Sequence, residues 1–236
     1  MAILFSSTNY LTTTGTYTNY SNCSIAVWCK FTALNTALSS ANFLANRICG
    51  TDDLWEVRAC TDWSGSNSVF QFAAEFFCSG STVPCVSNTT VAINTQYHVV
   101  FTISGGNQAQ VFVNGLLENS LTISPTEAPS ATTFWIGNRS GAPAGQCFNG
   151  VMDDLRVYNR VLSANEVETI YNAKGSDHIH YGLVNKWLLN EGAVGATVSG
   201  TGAVKDITNT FNATPSDTTL TYASSFLKWR RQPWQT

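Results

Sequence analysis

The chain has 236 residues and a formal net charge of −3, and only 11% of its residues are charged. The acidic balance argues against a general nucleic-acid binder, and no apolar stretch is long enough to cross a membrane. Because ordinary soluble domains contain about 25% charged residues, solubility here must come largely from Ser, Thr, Asn and Gly. A partner can cover such a surface without removing water from ions, so the composition is typical of a protein in a dense assembly or in the extracellular medium.

Three apolar runs in the first half of the chain predict strands. Residues 24–31, SIAVWCKF, are apolar on both alternating sets of positions, which is typical of a central strand buried on both faces. Residues 54–60 and 68–78 predict two further strands from their β-branched and aromatic residues. The first of the three runs is therefore expected at the centre of a sheet.

The strongest hairpin pattern follows these runs. Strands are predicted over 97–103 and 109–113, with the turn residues SGGN near the break between them. The second strand ends at Asn114-Gly115, a dipeptide that supplies the two positive-φ residues of a type I′ turn. Residues 132–138, TTFWIGN, predict another strand.

A strand and then the clearest helix of the chain are predicted over 150–172. Alternation from Val151 to Val157 predicts a strand with one face buried and the other mixed. Ser163 and Glu166 form a capping box at the start of a helix, and Gly175 is expected to take the left-handed conformation that ends it. Its apolar residues follow at helical spacing: Val167, Ile170 and Tyr171. Many short strands with one helix predict an all-β sandwich.

These segments resemble laminin-G-like domains of the concanavalin A-like lectin/glucanase superfamily. QYHVVFTISGGNQAQVFVNGLL is similar to the central hairpin of that family, and FWIGN followed by FNGVMDDLRVYNRVLSANEVETIYN is similar to its closing strand and helix. SIAVWCKF, with Trp28, is similar to an early strand. The resemblance covers about residues 3–172 and implies a concanavalin A-like jelly-roll β-sandwich.

The segment after the helix resembles the part that normally begins such a domain. The matching positions are Trp187, Glu191, Gly192, Asp206 and Asn209. We therefore predict that residues 183–189 form a first strand permuted to the C-terminal region, beside the closing strand, within one domain spanning 1–225. A truncated second repeat that pairs with another subunit is the alternative.

Residues 226–236 differ from the rest in composition. Trp229, Arg230, Arg231 and Trp234 lie close together, and Trp and Arg are enriched at interface hot spots. We predict an interface tail, and a frayed end whose aromatic side chains fold back on the sandwich is the alternative.

No catalytic pattern is found among the acidic residues. Glycanases of this superfamily hold paired acids at alternate positions of one strand, but no E-x-D-x-E occurs, and Asp153 and Asp154 are expected on opposite faces of their strand. The tripeptide EVR at 56–58 matches a fragment of a polysaccharide-lyase motif whose partner motifs are absent. His178 and His180 lack the further ligands of a metal site. We predict that the protein is not an enzyme.

Two positions that hold calcium in relatives are only partly acidic in this chain. Relatives often bind calcium through an acid in the closing strand and another near the start, but this chain has Asp153 in the first place and Asn9 in the second. A structural Asp153 is therefore favoured over a calcium ligand.

The seven cysteines include Cys78 and Cys85 around a turn-like SGSTVP, which allows a loop disulfide. Buried thiols are favoured instead, because no secretory signal is visible.

Two functions are consistent with these patterns. The first is a non-catalytic structural protein of a virion, a phage capsid decoration or fibre-type surface protein made in the host cytoplasm. It is expected to form homo-oligomers or contact other virion proteins, and to bind glycans or the host surface. The alternative is a carbohydrate-binding module of a cell-surface or exported protein. In either, Trp55 and Trp63 are candidates for stacking on sugar rings.

Overall fold

The computed structural model describes residues 1–6, 8–17, 21–34, 45–50, 55–61, 70–78, 81–105, 107–123, 132–138 and 147–227. Side chains are described throughout these ranges except at 16–17, 45–50, 55–56, 60–61, 75–78, 81–83 and 132. None of its helices has the length and apolar character needed to cross a membrane, in the residues so described.

Within these ranges the chain forms fifteen strands and one helix. In chain order they are β1 (Ala2–Phe5), β2 (Leu11–Tyr17), β3 (Cys23–Phe31), β4 (Ala45–Gly50), β5 (Trp55–Thr61), β6 (Phe70–Cys78), β7 (Ser81–Thr90), β8 (Gln96–Ser104), β9 (Gln108–Val113), β10 (Leu116–Thr122), β11 (Thr132–Ile136), β12 (Gly150–Tyr158), α1 (Ala164–Ala173), β13 (Leu183–Trp187), β14 (Ala213–Pro215) and β15 (Thr221–Ala223).

The strands form two sheets that pack face to face as a jelly-roll sandwich. The eight-stranded sheet has the order β10-β9-β8-β3-β12-β1-β15, with β13 also paired to β12. The seven-stranded sheet has the order β14-β2-β11-β4-β5-β6-β7. Inner residues of both sheets form one apolar core, which includes Val27 and Phe31 of one sheet and Phe72 and Phe134 of the other. The all-β prediction and the central position of residues 24–31 are confirmed.

The hairpin between β9 and β10 forms at the predicted dipeptide. Asn114 and Gly115 have φ angles of 52° and 87°, so both occupy the left-handed region that the type I′ turn requires. The segment SGSTVP, in contrast, is a strand over most of its length, because β7 begins at Ser81 and pairs with β6. Strand pairing there outweighs the turn-forming composition of the segment.

Strand β12 contains a bulge that changes which residues face the core. Its register with β3 shifts between Asp153, opposite Trp28, and Arg156, opposite Ala26, and Asp154 has a φ of 49°. The extra residue places Asp153 and Asp154 on the same outer face of the sheet, so the prediction that they point to opposite faces was wrong. Periodicity cannot reveal a bulge, since one inserted residue reverses the alternation beyond it.

The C-terminal segment contributes strands to both sheets. β13 pairs with β12, where Trp187 lies opposite Leu155, and the shorter β15 and β14 lie at edges of the eight- and seven-stranded sheets. Trp187 is fully buried, donates its indole N–H to the carbonyl of Phe211 at 2.9 Å, and stacks on Phe134 at 5.8 Å between ring centroids. The strand predicted over 183–189 therefore completes the sandwich, although it ends at Trp187.

Helix α1 begins as predicted and ends one residue earlier than predicted. Ser163 is the N-cap, and the capping box with Glu166 is present. At the other end Lys174, with a φ of 48°, takes the left-handed cap position, and Gly175 follows with a φ of 88°. Gly175 thus continues the turn that Lys174 starts.

Cys85 is a free, buried thiol, so the alternative of a loop disulfide with Cys78 is excluded. The register explains this, because Cys85 lies opposite Ala74, whereas Cys78 lies opposite Ser81 at the end of the hairpin. Burial raises the pKa of Cys85 to about 11. This thiol stays protonated and belongs to the core.

Candidate functional site on the outer face of the eight-stranded sheet

Helix α1 covers part of the outer face of the eight-stranded sheet. A second, smaller apolar cluster forms between the helix and the sheet, and its buried members are Ala26, Val100, Phe112, Tyr158, Leu162, Val167 and Ile170. The members of this cluster from β3, β8, β9 and β12 are shielded from water by the helix. At the β12 end of the cluster, the helix covers Tyr158.

Aromatic rings surround a buried histidine beside this cluster. His98 is 1% exposed, and its ring lies 4.8 Å from Trp28 and 6.1 Å from Tyr171, while Phe226 approaches Trp28 at 6.5 Å. Within the described chain, neither nitrogen of the imidazole has a hydrogen-bond partner. Burial lowers the pKa of His98 to about 3. The imidazole is therefore a neutral packing ring and not a proton carrier at ordinary pH.

A buried cluster of charges lies on the same face, and we call it the ionic cluster. Arg156 donates to Asp154 (Nε–Oδ1 3.1 Å, Nη2–Oδ2 2.7 Å) and to Asp177 (Nη1–Oδ1 2.7 Å, Nη2–Oδ2 2.8 Å). Lys186 Nζ lies 3.6 Å from Asp154 Oδ1. Burial by itself would lower the pKa of Arg156, but the two carboxylates raise it well above its usual value. The cluster fixes the segment between α1 and β13 onto β12.

Asp153 links the end of the chain to the sheet. Ser225 Oγ donates a hydrogen bond to Asp153 Oδ2 and accepts one from the backbone N–H of Leu227 at 3.0 Å. Leu227 is 3% exposed. The first residues of the predicted tail are thus packed on the outer face, near Trp28. We call the contact between Asp153 and Ser225 the latch.

The calcium site of relatives has no counterpart in the geometry of these two positions. Asn9 is fully buried, and both ends of its side-chain amide are hydrogen-bonded. Oδ1 accepts from Ser6 N at 2.8 Å, and Nδ2 donates to Thr219 Oγ1 at 2.9 Å. Asp153 lies beside the first residue of β1, because Met152 before it pairs with Ile3, whereas Asn9 lies beyond the other end of that strand. The strand between them is roughly 10 Å long. In the part of the chain that the structure describes, no three His, Cys, Asp or Glu side chains converge on one point. Asp153 and Asn9 do not fit a shared calcium ion.

Comparison with known families agrees with this architecture. The laminin-G family model described as "Concanavalin A-like lectin/glucanases superfamily" matches residues 5–168. The chain belongs to this family. No curated protein resembles it significantly. The family match ends within α1, before the C-terminal strands.

Likeness to solved structures extends over nearly the whole chain. A candidate carbohydrate-binding protein from Bacteroides ovatus has a TM-score of 0.68 at 19% identity, with 95% of this chain and 60% of that one covered. A heptameric SAP-like pentraxin from Limulus polyphemus has a TM-score of 0.65 at 15% identity, with 96% and 95% covered. Domain 4 of an extracellular arabinanase from Geobacillus stearothermophilus, in complex with arabinotriose, has a TM-score of 0.53 at 16% identity, with 72% and 76% covered. The chain thus spans 60% of the length of the first of these. At such identities the likeness establishes the fold, and its extent includes the C-terminal strands.

The side chains of the binding residues predicted from the sequence all lie outside the described residues. Trp55 is the first residue of β5, and its side chain lies outside the described residues. Trp63 and the four tail residues, Trp229, Arg230, Arg231 and Trp234, also lie outside them. The latch and the ionic cluster were missed. The D-x-R spacing of Asp154 and Arg156 on one strand face is the sequence signal that points to an ion pair there.

Proposed function

We propose that this chain is a non-catalytic surface protein of a virus particle, of the capsid-decoration or fibre type, and that it binds glycans. The observation that carries the non-catalytic part of the proposal is the engagement of the outer-face carboxylates by the scaffold. Asp154 and Asp177 are paired with Arg156, Lys186 lies near Asp154, and Asp153 is bound by Ser225. Acids engaged in this way stabilise a fold and do not transfer protons to a substrate. The family contains lectins as well as glucanases, and one similar structure is a candidate carbohydrate-binding protein, so the fold supports the glycan-binding part of the proposal.

Attachment to the particle is assigned to the C-terminal tail. The latch and the buried Leu227 fix the point from which residues 228–236 continue. Two indoles and two guanidinium groups follow within these residues, and such side chains fill pockets and bind carboxylates or carbonyls in pairs. The few charges of the chain also suit close contact with copies of itself or with other virion proteins.

A carbohydrate-binding module of a cell-surface or exported protein is the second candidate. It is favoured by the fold shared with domain 4 of an arabinanase, whose structure contains arabinotriose. Both candidates bind glycans, so they differ in where the protein is found.

Two measurements test the proposal. Incubation of the purified chain with arabinan, xylan and mucin should release no reducing ends and no unsaturated products. Turnover that a single carboxylate substitution abolishes would refute the non-catalytic assignment. Immunogold labelling with antiserum against the chain should mark purified particles from the culture that carries the gene. Label confined to the cell surface would favour the second candidate.

A further inference from the structure

Tyr181 is a large aromatic side chain left open to solvent. It is 84% exposed, and no other large hydrophobic side chain in the described residues is more exposed. It lies in the segment between α1 and β13, close to the end of that segment. A single exposed ring is common on protein surfaces, so the contacts that hold this one in place carry the argument.

Arg160 holds the Tyr181 ring from one side. The guanidinium carbon lies 5.2 Å from the centroid of the Tyr181 ring and 5.8 Å from that of the buried Tyr158 ring. Arg160 Nε also donates to the carbonyl of Tyr181 at 2.8 Å. The guanidinium thus contacts both rings, each through a cation–π interaction. The exposed ring is tied to a buried one.

Arg160 is itself fixed by helix α1. Its Nη1 and Nη2 donate to Glu166 Oε2 and Oε1 at 2.8 and 2.5 Å, and Glu166 also accepts from the Ser163 backbone N–H at 2.9 Å. The positive charge is therefore balanced beside the ring. The result is a surface aromatic site without net charge, built on the capping box of the helix.

The backbone around Tyr181 is fixed as well. Asn159 N donates to the carbonyl of Gly182 at 2.9 Å, and Leu183 N donates to that of His180 at 3.0 Å. Gly182 has a φ of 72°, and a Cβ atom at this position would lie 2.9 Å from the Arg160 side chain. Only glycine fits here without displacing Arg160. Tyr181 is therefore preorganised before any ligand binds, which lowers the entropy that binding costs.

We propose that Tyr181, held by Arg160, is a stacking platform for one sugar ring of a neutral glycan. This inference rests on the glycan-binding part of the proposed function. The C–H groups on one face of a pyranose or furanose carry partial positive charge and contact the electron-rich face of an aromatic ring. The exposed side chains of His178 and His180 precede Tyr181 in the chain, and exposed Asn159 is joined to Gly182 by its backbone N–H. All three supply hydrogen-bonding groups for sugar hydroxyls. A balanced charge beside the ring favours a neutral sugar over an anionic one.

The test compares ring-removing and ring-keeping variants of the full chain. Retention by branched arabinan, xylan and mucin is measured by affinity electrophoresis and by biolayer interferometry. Tyr181→Ala should weaken binding to the retained polysaccharide by roughly tenfold or more, because the stacking contact is lost. Tyr181→Phe and Tyr181→Trp should keep binding, since both retain a ring. Ile207→Ala, at another exposed apolar position (51% exposed), is the matched control and should bind as wild type.

The outcomes separate the platform from the proposed function. If the wild type is retained by a polysaccharide and Tyr181→Ala is retained equally, the platform is wrong and glycan binding stands. If the wild type binds none of the three probes, glycan binding and the platform both fail. If Tyr181→Ala loses self-association but keeps glycan affinity, the ring is a protein contact and the proposal is overturned. If the variants melt within about 2 °C of wild type, a loss of binding is not caused by unfolding.

Discussion

Arg156 and Arg160 are four residues apart, and each is paired with carboxylates, but their surroundings differ. Arg156 is 1% exposed and is bonded to both Asp154 and Asp177. The Arg160 side chain is 20% exposed and is bonded to Glu166, with an open aromatic ring beyond it. The same guanidinium group therefore binds buried carboxylates in one place and a partly exposed carboxylate in the other.

The difference shows how burial decides what an ion pair does. A buried pair is costly to break, because the remaining charges lose both solvent and partner. A partly exposed pair contributes little to stability, since water competes for each group. We infer that the ionic cluster maintains the fold, whereas the Arg160 pair orients Tyr181. Substitutions at the two sites should therefore differ in their effect on stability.

Trp187→Ala tests how much core packing by the C-terminal strands contributes to the free energy of unfolding. Trp187 lies on the inner side of β13, next to Lys186 of the ionic cluster, and stacks on Phe134. Removing the fully buried indole should lower the free energy of unfolding by about 3–5 kcal/mol, as measured by urea denaturation. A loss below about 1 kcal/mol would mean that the C-terminal strands are not integrated with the core.

Arg156→Met tests the ionic cluster and should cost about 3–5 kcal/mol in the same assay. The methionine fills much of the volume but leaves the carboxylates of Asp154 and Asp177 buried without the guanidinium. The double variant Arg156→Met, Asp177→Asn is the control and should recover part of the loss, because the remaining Asp154 carboxylate is still balanced by Lys186. Equal stability of Arg156→Met and wild type would show that the cluster is not required for folding.

Acid titration tests the Arg160 pair. The hydrogen bonds from Arg160 lower the pKa of Glu166 from its ordinary value of 4.5 to about 2. Since the folded-state pKa is depressed, the contribution is complete above about pH 4.5 and is lost as the pH falls towards 2. Carbon-13 NMR of the Glu166 carboxyl should show this low midpoint. In Arg160→Met, which removes the donor, the midpoint should move back towards 4.5, and no shift would contradict the pairing.

Truncation after Leu227 should have the smallest effect on stability. This variant keeps the latch, the partly buried Phe226 and the buried Leu227. Its melting temperature should therefore equal that of the full chain. Attachment to particles, or self-association measured by analytical ultracentrifugation, should be lost with the two indoles and two arginines. A matched chain of full length with Ala at 229, 230, 231 and 234 should behave in the same way. Unfolding of the truncated protein would show that the tail belongs to the core.

Features set by neighbouring residues could be predicted from the sequence. The turn at Asn114-Gly115 and the N-cap at Ser163 depend on a few adjacent positions, and both are confirmed. The strand containing Trp187 followed from the family resemblance, and its pairing with β12 is present. The division into a domain ending at residue 225 and a tail stays a prediction.

Features set by tertiary contact could not be predicted. Arg156 meets Asp177 across 21 positions of sequence, and the bulge at Asp154 is visible only in the register with β3. The three-residue strands β14 and β15 are too short to show any period. Tyr181 has no periodic neighbours, and its significance depends on Arg160, which lies on the other side of helix α1 in sequence.

Chemical-shift mapping during titration with a short oligosaccharide tests directly whether Tyr181 is a binding platform. Arabinotriose, xylotriose and N-acetyllactosamine would be titrated into the labelled chain, and both aromatic and amide resonances followed. The account predicts that a bound sugar shifts the ring of Tyr181 and the amides of its segment, while the amides of Arg156 and its buried partners stay unchanged. Shifts confined to the seven-stranded sheet, with none at Tyr181, would contradict it.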